Sequence, residues 1–174
     1  MRRSVAAVGA AVFFALAPGV VAGLVPWWLT RWEVRPYWLP LRVAGAVLVA
    51  AGTLVLLHAF TRFVVEGVGT PAPVAPTQRL VVGGLYRYVR NPMYVAVVAA
   101  ILGQWLLLGQ PVLVWYALAV GVTTAAFVRW YEEPTLRQQF GAEYEAYRRA
   151  VPAWWPRLRP WRGGGPGPPG ESHR

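Results

Sequence analysis

The chain is patterned as long apolar runs separated by short polar ones. Four runs reach or approach the roughly 17–20 residues of helix that cross a bilayer. They are Val5 to Leu29 (with Pro18 and Gly19 inside it), Trp38 to Phe60, Pro92 to Leu108, and Val112 to Val128. Only Gly109-Gln110-Pro111 separates the last two, so a tight antiparallel hairpin is expected there. Each would be about 25 Å long, enough for a thin or locally thinned crossing. A buried helix pair of a soluble protein is the alternative, and the two other long apolar runs argue against it. Past the fourth run, Leu136, Phe140, Tyr144, Tyr147 and Val151 recur at spacings of four, four, three and four. That is one apolar face of a short helical stretch, with Gly141 as a break. Arg137, Gln138, Glu143, Glu145, Arg148 and Arg149 take the other side, as in an amphipathic segment lying on a membrane or closing over a bundle. The expected fold class is all-α, a polytopic membrane helical bundle of about four crossings in one domain, residues 1–162, with the Gly/Pro-rich tail 163–174 disordered.

Charge placement orients this bundle. With the N-terminus cytoplasmic, fourteen arginines lie inside and three (Arg31, Arg35, Arg42) outside, which satisfies the positive-inside rule. Both termini and most polar residues are then expected on the cytoplasmic side of an inner or plasma membrane. Arg2-Arg3 and Ala15-Leu16-Ala17 also fit a cleaved signal peptide, which would leave the remaining topology unchanged. Trp27, Trp28, Trp32, Tyr37 and Trp38 cluster at the expected outer boundary, and Trp130, Tyr131, Trp154, Trp155 and Trp161 follow the last crossing. Such rings prefer the headgroup layer.

Composition narrows the chemistry. Of 174 residues, 56% are hydrophobic and 14% charged, where a charged share of about a quarter is usual. The 17 basic residues are all Arg and the 7 acidic ones all Glu. There is no Cys, and Ser4, Ser172, His58 and His173 are the whole complement of Ser and His. Disulfides, thiolate nucleophiles and a Ser-His-Asp triad are excluded, and a histidine metal cage is barely possible. An enzyme on this chain must work with Glu, Arg, Tyr, backbone groups and a borrowed cofactor.

Two polar regions hold the candidate chemistry. The loop from Thr61 to Asn91 contains Gly67-Val68-Gly69-Thr70, three prolines, then Gln78-Arg79-Leu80-Val81, and ends in Arg87-Tyr88-Val89-Arg90-Asn91-Pro92-Met93-Tyr94. Asn91-Pro92 reads as a helix start, Asn as the cap and Pro in the first turn. The free amides of that turn, beside Arg90, suit an anionic group; a well-capped helix flanked by interfacial arginines is the plainer reading. The Gly-x-Gly at 67–69 does not open a helix after a strand and carries little weight as a nucleotide motif. His58 reads as a bundle-facing polar residue rather than a ligand. The second region, Arg129-Trp130-Tyr131-Glu132-Glu133-Pro134, sets two adjacent carboxylates at the expected C-terminal end of the fourth helix. Dipole and mutual repulsion both disfavour them there. Either an arginine such as Arg129 or a cationic ligand should compensate, unless the pair simply stands in water.

The run Gly84-Leu85-Tyr86-Arg87-Tyr88-Val89-Arg90-Asn91-Pro92-Met93-Tyr94, then an apolar hairpin, then Glu132-Glu133-x-x-Leu136-x-x-x-Phe140-Gly141-x-Glu143-Tyr144-x-x-Tyr147-x-x-x-Val151-Pro152 resembles the isoprenylcysteine carboxyl methyltransferase and phospholipid methyltransferase superfamily. The resemblance covers residues 61–156 or so and implies S-adenosylmethionine as methyl donor at the cytoplasmic face. It implies that Gln78, Arg79, Leu80, Val81, Tyr86, Asn91, Pro92, Met93 and Tyr94 line the donor pocket and that Glu132 binds the donor's ammonium group. It further implies Arg129 for an anionic substrate group and Arg90, Tyr94 and Glu133 as the catalytic set, Glu133 or Tyr94 taking a proton if the acceptor is an amine. The prenylcysteine enzymes have Arg-His-Pro and His-x-Leu-Val where this chain has Arg-Asn-Pro and Gln-x-Leu-Val, which points away from a prenylcysteine acceptor. A sulfonium donor carries its own activated methyl, so displacement needs alignment rather than a metal or a covalent nucleophile.

The expected activity is therefore methyl transfer to a lipophilic small molecule entering from the bilayer, O- or S-methylation slightly ahead of N-methylation of a phospholipid amine. The expected partners are that acceptor and membrane lipids, with no metal and no nucleic acid. Two other classes compete. A sterol-type reductase has a similar Arg-x-Pro-x-Tyr motif, but nothing in this chain offers a reduced-nicotinamide site. A non-catalytic membrane scaffold would keep the fold without binding a donor.

Overall fold

The computed structural model describes Val12 and residues 16–36, 38–66 and 79–162, the side chains of 63–66 excepted. Gln78, the Gly67-x-Gly69 segment, the start of the first apolar run and the tail 163–174 lie outside the described residues. Among the described residues there is no strand. The helices are α1 (Leu16–Thr30), α2 (Leu39–Glu66), α3 (Pro92–Leu108), α4 (Val112–Phe127) and α5 (Glu133–Ala150). The Leu39–Arg62 part of α2 and the helical run Val112–Ala150 are each long and apolar enough to cross a membrane, while α1 and α3 are apolar but shorter. Val47, Leu54, Trp115, Leu118 and Val122 face outward and are more than half exposed. Helices apolar on all sides belong in lipid or in the core of a large protein. The expected hairpin is present: α3 ends at Gly109, whose positive φ of 68° closes the turn into α4.

Small residues bring α2 and α3 backbone against backbone. A Cβ at Gly45 would lie 2.6 Å from the Gly103 carbonyl oxygen, and one at Gly103 would lie 2.8 Å from the Val49 amide nitrogen. Lipid tails are as apolar as leucine, so close van der Waals approach is what holds such helices together. Gly103→Val is expected to wedge the pair apart and lower the melting temperature in detergent by about 3–10 °C. An unchanged melting curve would contradict the contact.

Two prolines shape the helices that border the site. The Val20–Leu24 turn of α1 is a π-helix followed by Pro26, and Val128–Glu132 is a π-helix followed by Pro134. In each, the residue before the proline donates its N–H five residues back, Val25 to Val20 and Glu133 to Val128. The extra residue in the turn absorbs the proline, which lacks an N–H and crowds the carbonyl four residues earlier. Loosened carbonyls need other donors in a bilayer. Gln104 Nε2 of α3 donates to the Ala22 carbonyl at 2.7 Å, and Tyr116 Oη of α4 to that of Val21 at 2.8 Å. These bonds dock α1 into the bundle, and removal of this segment would strip Gln104 and Tyr116 of those partners.

The second π-helix corrects one expectation. Glu132 and Glu133 do not stand at a helix C-terminus, because the π turn carries the chain from α4 directly into α5. The dipole penalty disappears, and their mutual repulsion and the burial of Glu132 remain. The helix then breaks at Gly141 (φ 51°, ψ −122°). Its apolar face closes over the bundle: Tyr144, Tyr147 and Val151 are buried against Leu80, Val82, Leu136, Phe140 and Trp161.

After α5 the chain runs back along residues 87–91. Arg90 N donates to the Pro152 carbonyl at 2.9 Å, Arg157 N to that of Tyr88 at 3.0 Å and Trp161 N to that of Arg87 at 2.9 Å. This ribbon also corrects the role of Asn91. Its side chain makes no cap hydrogen bond to α3; Nδ2 donates to the Ala153 carbonyl at 3.1 Å instead. The amide is drawn to an acceptor supplied by a segment some sixty residues later, so the start of α3 is tied to the C-terminal ribbon.

Candidate functional site

A cavity of about 320 Å³ lies between the start of α3, the π turn and α5. One end is polar and aromatic, lined by Tyr86, Arg90, Asn91, Tyr94, Tyr131, Glu132, Glu133, Tyr144 and Tyr147. The other is apolar and reaches between helices, along Pro18 and Val21 of α1, Leu56 of α2, Val97 of α3 and Val120 and Phe127 of α4.

The polar end is organised around one guanidinium. Arg90 Nη1 donates to Glu133 Oε1 at 2.7 Å and to Tyr144 Oη at 2.9 Å, while its Nε donates to the Val151 carbonyl at 3.0 Å. The Arg90 and Glu133 side chains are 11% and 9% exposed, so this is a buried ion pair whose fork and acceptors match. Tyr94 Oη donates to Glu132 Oε2 at 3.1 Å. Glu132 lies beyond the apolar stretch of α4. Burial raises its carboxyl above the usual carboxylate range; the Tyr94 hydrogen bond and Arg90 pull it down, and the Glu133 charge pushes it up. Among the described residues, two carboxylates thus face one cavity-lining guanidinium, already in contact with Glu133. Burial also raises the Tyr147 hydroxyl, keeping it a donor to the Tyr86 carbonyl at 2.6 Å.

Of the residues singled out in the sequence, Leu80, Val81, Tyr86, Arg90, Asn91, Pro92, Met93, Tyr94, Glu132 and Glu133 all line the cavity. Arg79 and Arg129 do not, and Gln78 lies outside the described residues. The Arg129 side chain is 68% exposed, with Nη1 3.8 Å from Glu133 Oε2. The near partner of the glutamate pair is therefore Arg90, and Arg129 is a distant second. His58 is exposed and packs against Gly84, where an added Cβ would lie 2.6 Å from its Nε2. Tyr144 and Tyr147 were legible as part of an apolar face but not as cavity residues. The available signal was chemical: a tyrosine on a buried face must find a partner for its hydroxyl.

Fold and site together define an all-helical membrane protein with an acidic, tyrosine-lined chamber that continues into an apolar bay. A family model described as phospholipid methyltransferase matches residues 41–143, and the chain belongs to that family. It is thus a membrane methyltransferase. No curated protein and no solved structure matches the chain. The matched stretch holds Arg90, Tyr94, Glu132 and Glu133; α1 and the ribbon after α5 lie outside it. Among the described residues no cluster of three or more His, Cys, Asp or Glu is arranged to hold a metal ion.

Proposed function

We propose that this protein transfers a methyl group from S-adenosylmethionine to a lipophilic acceptor that enters the cavity from the bilayer. The observation that carries this reading is Glu132, a half-buried carboxylate that forms no ion pair among the described residues, while its neighbour Glu133 is neutralised by Arg90. A surplus negative charge with little access to water favours a cationic ligand, and the donor carries both an ammonium and a sulfonium. When bound, it supplies a methyl already activated for displacement.

The protein's own residues do the rest. Glu132, oriented by Tyr94, binds the ammonium. The first turn of α3 offers the Met93 and Tyr94 amides to the donor's carboxylate, and Leu80, Val81, Tyr86, Asn91 and Pro92 wall the pocket. Arg90 keeps Glu133 from adding a second uncompensated charge. Val97, Val120 and Phe127 exclude water from the acceptor's apolar part. Gln78 and Arg79 belong to the donor side of this reading, and Arg129, at the rim, to an anionic headgroup. The arginine distribution supports a site on the cytoplasmic face with both termini inside.

A second reading concerns the acceptor atom. The Arg90 charge is already paired with Glu133, and its Nη1 and Nε serve Glu133, Tyr144 and the Val151 carbonyl, so a carboxylate acceptor would compete with Glu133 for the same guanidinium. An amine would suit the acidic chamber, which favours phospholipid N-methylation over O-methylation. Such an amine must lose a proton. With that proton released to water, the neutral amine attacks, and Tyr94 Oη is placed to accept a hydrogen bond from it, because Glu132 is engaged by the donor's ammonium and Glu133 is held by Arg90.

The test is transfer of labelled methyl by protein reconstituted in vesicles, with phosphatidylethanolamine, a lipophilic thiol or a lipophilic carboxylate as acceptor. Label in any acceptor supports the methyl-transfer reading, and label in the amine alone supports N-methylation. No transfer, together with no donor binding by calorimetry to folded protein, would leave the scaffold.

A further inference from the structure

The ribbon that follows α5 is held at a fixed depth. Its partners are residues 87–91, which immediately precede the apolar helix α3, so the ribbon lies at the level where that helix meets the boundary of the bilayer. One side of it is built into the protein. Trp161 packs on Tyr147 with ring centroids 5.3 Å apart, and Arg157 Nη1 donates to the Ala150 carbonyl at 2.6 Å. The other side is not. Trp155 is 80% exposed and Leu158 99%, with Arg159 and Arg162 exposed beside them. No acidic residue occurs between Glu145 and Arg162. In water this arrangement wastes apolar surface and concentrates like charge. At a bilayer boundary both features become favourable: an indole and a leucine sit at the acyl edge while arginines reach lipid phosphates.

We propose that residues 155–162 form a binding surface for anionic phospholipid headgroups, with Trp155 and Leu158 seated at the acyl boundary and Arg159 and Arg162 on the phosphates. The occupant is the leaflet in which the protein sits, chosen by charge complementarity, and the proposal is independent of the methyl-transfer reading. Because the same ribbon accepts hydrogen bonds from both the backbone and the Nε of Arg90, lipid seated on it would also steady the polar end of the cavity.

The chain has no cysteine, so Leu158→Cys in the full-length protein gives a single site for an environment-sensitive fluorophore. The labelled protein is reconstituted in phosphatidylcholine alone or mixed with phosphatidylglycerol. With phosphatidylglycerol the emission is expected to shift to the blue and quenching by aqueous acrylamide to fall. Arg159→Glu with Arg162→Glu in the same background should reverse both changes while leaving the melting temperature unaltered. A fluorophore quenched as in water in both vesicles would overturn the proposal. Equal shielding in both vesicles would also overturn it, by showing an apolar anchor indifferent to headgroup charge. That comparison of lipids decides the matter even if the double variant folds poorly.

Discussion

Glu132→Gln is expected to weaken S-adenosylmethionine binding about 100-fold, equivalent to about 3 kcal/mol, in a protein that remains folded. The amide keeps the shape of the side chain and an oxygen for the Tyr94 hydroxyl, so only the charge is lost. Apo protein should become slightly more stable. The folded-state value of Glu132 is raised by burial, so the native state binds its proton more tightly than the unfolded chain does. This group's contribution to stability therefore falls as pH rises through that value, and the ionised form at neutral pH costs stability that the amide does not. Ligand binding runs the opposite way. Donor affinity of the parent should decline as pH falls through the raised Glu132 value, because the protonated carboxyl no longer attracts an ammonium, and the variant should lack that decline. Calorimetry from neutral into the acid range checks both. Full affinity in Glu132→Gln would remove the central support for the proposed donor site.

Arg90→Met should be the most destabilising single change at the site, by about 3–5 kcal/mol, because it leaves the buried Glu133 with only the exposed Arg129, 3.8 Å away, as a counter-charge. It also deprives the Tyr144 hydroxyl and the Val151 carbonyl of their donor. Lysine should not substitute well: a single ammonium does not reproduce a fork that serves three acceptors through Nη1 and Nε. Adding Glu133→Gln to Arg90→Met should recover a large part of the loss, since it removes the orphaned charge. Melting curves of the two single variants and the double variant in one detergent measure the coupling. Additive losses, with no recovery in the double variant, would mean that the pair contributes nothing beyond its separate side chains.

The candidate site was unevenly legible. Glu132 and Glu133 stood out because adjacent carboxylates beside a long apolar run need a counter-charge, and the loop before α3 stood out because polar residues are scarce in this chain. The partner of Glu133 was not legible. Sequence proximity favoured Arg129, one helical turn away, whereas the close partner is Arg90, 43 positions upstream. Arg129 points into solvent, where screening weakens the attraction. Arg90 is pinned in a buried space by the ribbon, where the same charge separation is worth more. Asn91 shows the same effect. A helix cap is the local preference, but an acceptor brought in by the ribbon displaced it.

The all-helical class, the long apolar helices, the tight turn at Gly109 and the amphipathic face of α5 were legible along the chain. Each of these depends on the length, spacing or polarity of residues close together in the chain. The π turn that joins α4 to α5, the pairing of Arg90 with Glu133 and the place of α1 as one wall of the cavity emerge from the folded molecule. Those outcomes depend on distances and burial among residues far apart in sequence. Electrostatic and hydrogen-bond strengths follow burial, which spacing along one dimension does not carry.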